Sequence, residues 1–115
     1  MAIYNGDNKD NIYVGTSGDD EVYGWGGDDN LNGGDGDDYI NGGLGNDTLT
    51  GGLGNDLFDG SWGNDTFLIG HADGEDKIHN FNGGEDVVKF TDLASTEIIS
   101  VDRLSEGQLL WLCHR

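Results

Sequence analysis

Asp20, Asp29, Asp38, Asp47, Asp56 and Asp65 stand nine residues apart along the chain. Ionised carboxylates brought close together repel one another unless a cation lies between them. The plainer alternative is a row of turn acids in solvated loops, each bonded to its own backbone. Register through six copies favours ligands. The residues around each Asp supply glycine and oxygen, with neither imidazole nor thiolate, which excludes soft and borderline metals. Oxygen donors with freely oriented carbonyls suit Ca²⁺, whose coordination is flexible, better than Mg²⁺, which demands near-ideal octahedra and keeps its waters.

The elements that must position these acids follow from the same spacing. From Gly15 the sequence divides into GTSGDDEVY, GWGGDDNLN, GGDGDDYIN, GGLGNDTLT, GGLGNDLFD and GSWGNDTFL, with a worn copy, GDNKDNIYV, before them. In the six clear copies positions 1 and 4 are always glycine and position 6 is always Asp. Position 8 is always apolar: Val22, Leu31, Ile40, Leu49, Phe58, Phe67. Glycine permits positive φ and close backbone approach, so positions 1 to 4 form a tight loop. Positions 7 to 9 alternate about one apolar residue, as a short strand does. Such a strand cannot stand alone, so successive copies stack as a solenoid with the position-8 side chains in an inner column. With two copies per turn, Asp20, Asp38 and Asp56 form one ladder and Asp29, Asp47 and Asp65 the other. Rungs lie about 4.8 Å apart. One inward side chain per nine residues buries too little apolar surface to offset the ordering of glycine-rich chain. The loops must be bound by something else.

Composition narrows the function classes. The chain has 115 residues, 22 of them glycine and none proline, with a formal net charge of −18. That charge argues against nucleic acid and anionic membrane surfaces as partners. High charge with few apolar residues is the mark of a disordered acidic tail, and only the regular spacing speaks against that reading here. Cys113 is the one cysteine, so no internal disulfide forms. The first residues lack the basic start and apolar run of a Sec-type signal peptide. No segment approaches the roughly 18 apolar residues that span a bilayer. Patterns for zinc helices, nucleophile elbows, phosphate loops and EF-hands are missing, so an enzyme is not expected.

GGLGNDTLT, starting at Gly42, resembles the RTX (hemolysin-type) nonapeptide GGxGxDxUx, a repeat that binds Ca²⁺. The resemblance covers residues 15–68 well and 6–14 poorly. It implies an all-β fold, a right-handed parallel β-roll with a C-terminal strand-rich cap, holding calcium between successive loops on each edge. In the family one loop gives the carbonyls of positions 2 and 4 and its Asp. The loop one turn later gives the carbonyls of positions 1 and 3 and its own Asp. Carried across, a first site takes Thr16, Gly18 and Asp20 with Gly33, Asp35 and Asp38. A second takes Trp25, Gly27 and Asp29 with Gly42, Leu44 and Asp47. A third takes Gly34, Gly36 and Asp38 with Gly51, Leu53 and Asp56. A fourth takes Gly43, Gly45 and Asp47 with Gly60, Trp62 and Asp65. About four ions in sound sites are expected, with Asp38 and Asp47 each bridging two and only weak sites at the ends. Thr16, Trp25 and Ser61 replace glycine at position 2 but keep the carbonyl. In the worn copy Lys9 and Asn11 replace the glycine and the Asp, so no full-strength site pairs Asn11 with Asp29.

The domain reading is an N-terminal segment with a degenerate repeat (1–14), six repeats (15–68), capping strands (69–93) and a tail (94–115). Strands are expected over Lys77–Phe81 and Asp86–Phe90, with turns at Asp73-Gly74 and Gly83-Gly84. Glu97–Val101 and Leu109–Leu112 read as two more. Asp76 and Asp86 read as turn acids in preference to further ligands, and His71 and His79 as surface residues. Cys113 and His114 stand alone, which speaks against a metal site there. Trp25, Trp62 and Trp111 suit either packing or stacking on sugars. The family implies a secreted, extracellular protein exported by type I secretion machinery; the tail is read either as an export signal or as a truncated end. The functional expectation is a module that folds on meeting external calcium. The alternatives are the tail of a secreted protease, lipase or alginate epimerase, and an adhesion module for a glycan or surface. The position-9 row is too uneven for a uniform adhesive face.

Overall fold

The computed structural model describes residues 1–69, 74–79, 86–90, 99–104 and 109–114. Eight short strands follow the repeats: β1 (Ile3–Asn5), β2 (Ile12–Val14), β3 (Glu21–Tyr23), β4 (Asn30–Asn32), β5 (Tyr39–Asn41), β6 (Thr48–Thr50), β7 (Leu57–Asp59) and β8 (Thr66–Ile69). Four more complete the set: β9 (Gly74–His79), β10 (Val87–Phe90), β11 (Ile99–Leu104) and β12 (Leu109–His114). Odd and even strands separate. One sheet runs β1-β3-β5-β7-β9-β12-β11 and the other β2-β4-β6-β8-β10. Strands β1 to β10 pair in parallel throughout, giving an all-β solenoid with two strands per turn.

The register sets one side chain of each strand above the next. Tyr4, Val22, Ile40, Phe58 and Ile78 form one column, and Tyr13, Leu31, Leu49, Phe67 and Val88 the other. The seven from Val22 to Ile78 that form the core are wholly buried, with Tyr4, Tyr13 and Val88 packed against them half-buried. A three-residue strand points its middle side chain inward and its flanking pair outward. That is why a single apolar letter per nonamer suffices to build a two-sheet core. Phe58 and Phe67 meet edge to face at 5.9 Å. Tyr4 and Tyr13 stack at 4.0 Å, laying amphipathic rings over the first turn.

The worn copy folds with the rest, since its strand β2 takes the end place in one sheet, as β1 just before it does in the other. The roll also continues past Phe67. Phe58 pairs with Ile78, a step of 20 residues, and Phe67 with Val88, a step of 21. The strand expected to begin at Lys77 begins at Gly74, so Gly74 is already in strand. Residues 74–78 pair antiparallel with β12, a long-range partner that local periodicity does not reveal. β11 in turn pairs antiparallel with β12; β11 extends three residues beyond its expected end at Val101 and β12 two beyond Leu112. Asp73, Gly83-Gly84 and His71 lie outside the described residues; His79 is exposed.

Candidate metal centre

Each repeat Asp sits at the point where loop becomes strand. Two bonds hold every rung to the next. The amide of one Asp donates to Oδ1 of the Asp one turn later: Asp20 to Asp38 (2.8 Å), Asp29 to Asp47 (2.8 Å), Asp38 to Asp56 (2.9 Å) and Asp47 to Asp65 (2.9 Å). The carbonyl of the earlier Asp accepts from the first strand residue of the later turn, as Asp29 does from Thr48 and Asp38 from Leu57, both at 2.8 Å. The six repeat carboxylates are consequently only 1–2% exposed.

Those bonds occupy one oxygen and leave the other. Oδ2 of Asp29, Asp38, Asp47, Asp56 and Asp65 is buried with no hydrogen-bond donor. Buried polar atoms are nearly always paired, and a bare carboxylate oxygen in a low-dielectric site is costly. Space is kept for it by the first glycine of the loop. A Cβ on Gly33 would come within 2.5 Å of Asp38 Oδ2, and Gly24, Gly42, Gly51 and Gly60 cradle their own Asp in the same way. Electrostatics reflect the shortage of positive partners. Burial pushes the carboxyls of Asp38 and Asp65 up to about 7, Asp47 to about 8 and Asp56 to about 9, and raises Asp29. The amide on Oδ1 opposes this shift and neighbouring acids add to it.

Asp20 differs. Its Oδ2 accepts the Thr16 amide at 2.6 Å, and the Thr16 hydroxyl bonds both of its oxygens at 2.8 and 2.9 Å. Burial alone would push this carboxyl up, but the bonds from the Thr16 hydroxyl and from the Thr16 and Ala2 amides hold it below its usual value.

The carbonyls follow the backbone conformation. Gly43 (φ 83°) and Gly45 (φ 101°), positions 2 and 4 of their loop, lie in the left-handed region that glycine enters freely. Trp25 (φ 73°) and Ser61 (φ 63°) occupy the same region without glycine, whereas Thr16 and Gly18 do not. The Trp25 oxygen lies against Gly43 and the Gly27 oxygen against Gly45, one turn on. From the opposite side the Gly42 oxygen lies 2.7 Å from where a Cβ on Gly24 would be. Carbonyls of positions 2 and 4 therefore face those of position 1 across the gap between turns, beside the orphaned Oδ2 atoms. Two position-2 carbonyls also take an amide, Trp25 from Leu44 (2.6 Å) and Gly43 from Trp62 (3.1 Å). Each keeps a second lone pair for a cation. At position 3 the side chains of Asp35, Leu44, Leu53 and Trp62 point to solvent, leaving only their backbone oxygens for the gap. An all-oxygen donor set between turns fits Ca²⁺.

The sequence reading missed a second ladder. At position 5 the amides of Asp28, Asp37, Asn46, Asn55 and Asn64 donate to the side chain one turn earlier, at 2.7–2.9 Å. The signal was present, since that position is Asp or Asn in all six copies. Trp25 packs on Tyr23 and donates its indole N–H to Asn5 at 3.1 Å, so its ring is tied into the roll.

A family model of the RTX calcium-binding nonapeptide repeat (4 copies) matches residues 5–40 and 32–67, together more than half of the chain. Among solved structures the chain is similar to the AlgE6R3 subunit of the Azotobacter vinelandii mannuronan C5-epimerase. The TM-score is 0.51 at 23% identity, over 95% of this chain and 71% of that one. At this identity the likeness is one of fold. No curated protein matches the chain.

Proposed function

The chain belongs to the RTX calcium-binding nonapeptide repeat family, and from that premise we propose that its roll is a calcium-dependent folding module of a secreted protein, exported unfolded by a type I route. The repeats bind Ca²⁺, in keeping with about four ions. The observation that carries the proposal is the set of buried Oδ2 atoms without a donor. The four ligand sets that the family resemblance implies would put two carbonyls and a carboxylate on each side of a gap between turns. Bound calcium supplies the positive charge that these carboxylates lack. The chain's own part is to fix Oδ1 through the amide one turn back, to leave room at the first glycine, and to aim carbonyls through left-handed loops. Four divalent ions bring +8 against −18. At low calcium the ladders repel and the chain stays unfolded. Extracellular modules bind calcium at about 10⁻⁴–10⁻³ M, which suits a transition on leaving the cell, and the binding free energy is then folding free energy.

Circular dichroism during a calcium titration at pH 7.5 tests this. Strand signal should rise with calcium and vanish in excess EGTA; a folded spectrum that persists in EGTA overturns it. The fold likeness to an epimerase subunit favours a second reading, in which the roll is the non-catalytic appendage of a secreted enzyme. In that case the roll alone is inert on mannuronan, and activity travels with a separate domain.

A further inference from the structure

We infer that the chain carries two further calcium sites beyond the nonapeptide motif, one between Asp56 and Asp76 and one between Asp65 and Asp86. The inference rests on the calcium reading above and extends it past residue 67, where the family match ends.

The ladders do not stop at the sixth repeat. The Asp56 amide donates to Asp76 Oδ1 and the Asp65 amide to Asp86 Oδ1, both at 2.9 Å. The return bonds are present as well: Lys77 donates to the Asp56 carbonyl and Val87 to the Asp65 carbonyl, both at 2.9 Å. These are the same two bonds that join every earlier rung. Asp76 and Asp86 are 7% and 6% exposed, which is not the condition of the solvated turn acids expected from the sequence.

Asp56 and Asp65 therefore have the same surroundings as Asp38 and Asp47, the residues that bridge two ions each. In all four, Oδ1 accepts an amide from the turn before, Oδ2 is buried and unpaired, and the residue's own amide goes to the next carboxylate. The carbonyl donors repeat too. Gly52 and Gly54 have φ of 83° and 106°, against 85° and 96° for Gly34 and Gly36 one turn earlier. Ser61 and Gly63, at 63° and 101°, match Gly43 and Gly45 at 83° and 101°. Two carbonyls and an orphaned carboxylate oxygen thus face each of the last two rungs, as they face the earlier ones.

The opposite end supplies the contrast. There Asn11 stands in the Asp place, and its Oδ1 is already taken by the Asp7 amide at 3.1 Å. The ladder ends there in a neutral, paired side chain.

The test is calcium stoichiometry of the whole chain, by titration calorimetry and native mass spectrometry, at about 0.15 M salt to screen diffuse binding. Asp76→Asn and Asp86→Asn keep an oxygen for the rung's amide while removing the charge. Six ions are expected for the parent chain, five for each variant and four for the double variant, with near-unchanged dichroism in saturating calcium. A parent count of four, or a count that the variants leave unchanged, overturns the inference alone. No bound calcium at all overturns the reading on which it rests. Because the parent count stands by itself, a variant that fails to fold does not shield the inference.

Discussion

Asp20 and Asp47 hold the same place in their repeats and are equally buried, at 2% and 1% exposure. In the first loop Thr16 bends its amide and hydroxyl onto the carboxylate and satisfies both oxygens. In the middle loops the glycine or strained residue at position 2 stays in the left-handed region, turns its carbonyl toward the next turn and sends no donor to Oδ2 of the acid. One carboxylate is held in its charged form by amide and hydroxyl donors and drops below its usual pKa; the other lacks them and is pushed by burial up to about 8. The comparison teaches that an Asp in register does not by itself leave a carboxylate oxygen open. What matters is whether the residue four positions before it closes on the acid or opens toward the next turn.

The largest way to break this comparison is to remove calcium. In EGTA at pH 7.5 the middle turns should lose amide protection entirely, as read by hydrogen exchange. The rung at Asp20, which has donors of its own, should be the last to lose protection as calcium is withdrawn. Protons should substitute in part for calcium. The carboxyls of Asp38, Asp47, Asp56 and Asp65 hold protons in the folded state up to about 7 to 9 but release them near the ordinary value when unfolded. Their contribution to the metal-free fold is thus full below about pH 4 and is lost as pH rises through about 7 to 9. Dichroism in EGTA should show strand signal growing as pH falls from 9 to 4, while Asp20, shifted the other way, opposes the gain only at the acid end.

Third in size, Asp47→Asn in saturating calcium should cost about 3–5 kcal/mol, the scale of leaving a buried charge site half-made. Asp20→Asn should cost less than half as much, by thermal melting of both proteins. Equal losses would abolish the distinction between the two loops. The smallest effect sharpens it: Trp25→Gly should release about 1 kcal/mol of left-handed strain, less what the indole contributes through Tyr23 and Asn5. Thr16→Gly should raise the first site's calcium affinity by freeing Asp20 Oδ2, measured as a tighter first step in calorimetry.

Much of the site was legible because the repeat forces it. A fixed nine-residue spacing, a glycine at positions 1 and 4 and an apolar residue at position 8 leave the backbone one way to stack, and stacking puts Asp over Asp. The inner columns from Val22 to Phe67 could be read off directly. The continuation through Asp76 and Asp86 could not, because steps of 20 and 21 residues break the count while the pairing of strands survives it. The same limit hid the sheet partner of residues 74–78, a strand more than thirty residues away.

By itself the sequence determined which atoms recur and in what order, since periodicity is a local property that a chain cannot conceal. Only the tertiary structure decided which oxygens are left without a donor. That depends on how each loop bends onto its own acid and on side chains and amides eighteen or more residues apart meeting across a gap. Thr16 reads as a tolerable stand-in for glycine until its hydroxyl is seen on Asp20, and Asp76 as a turn acid until the Asp56 amide is seen on it.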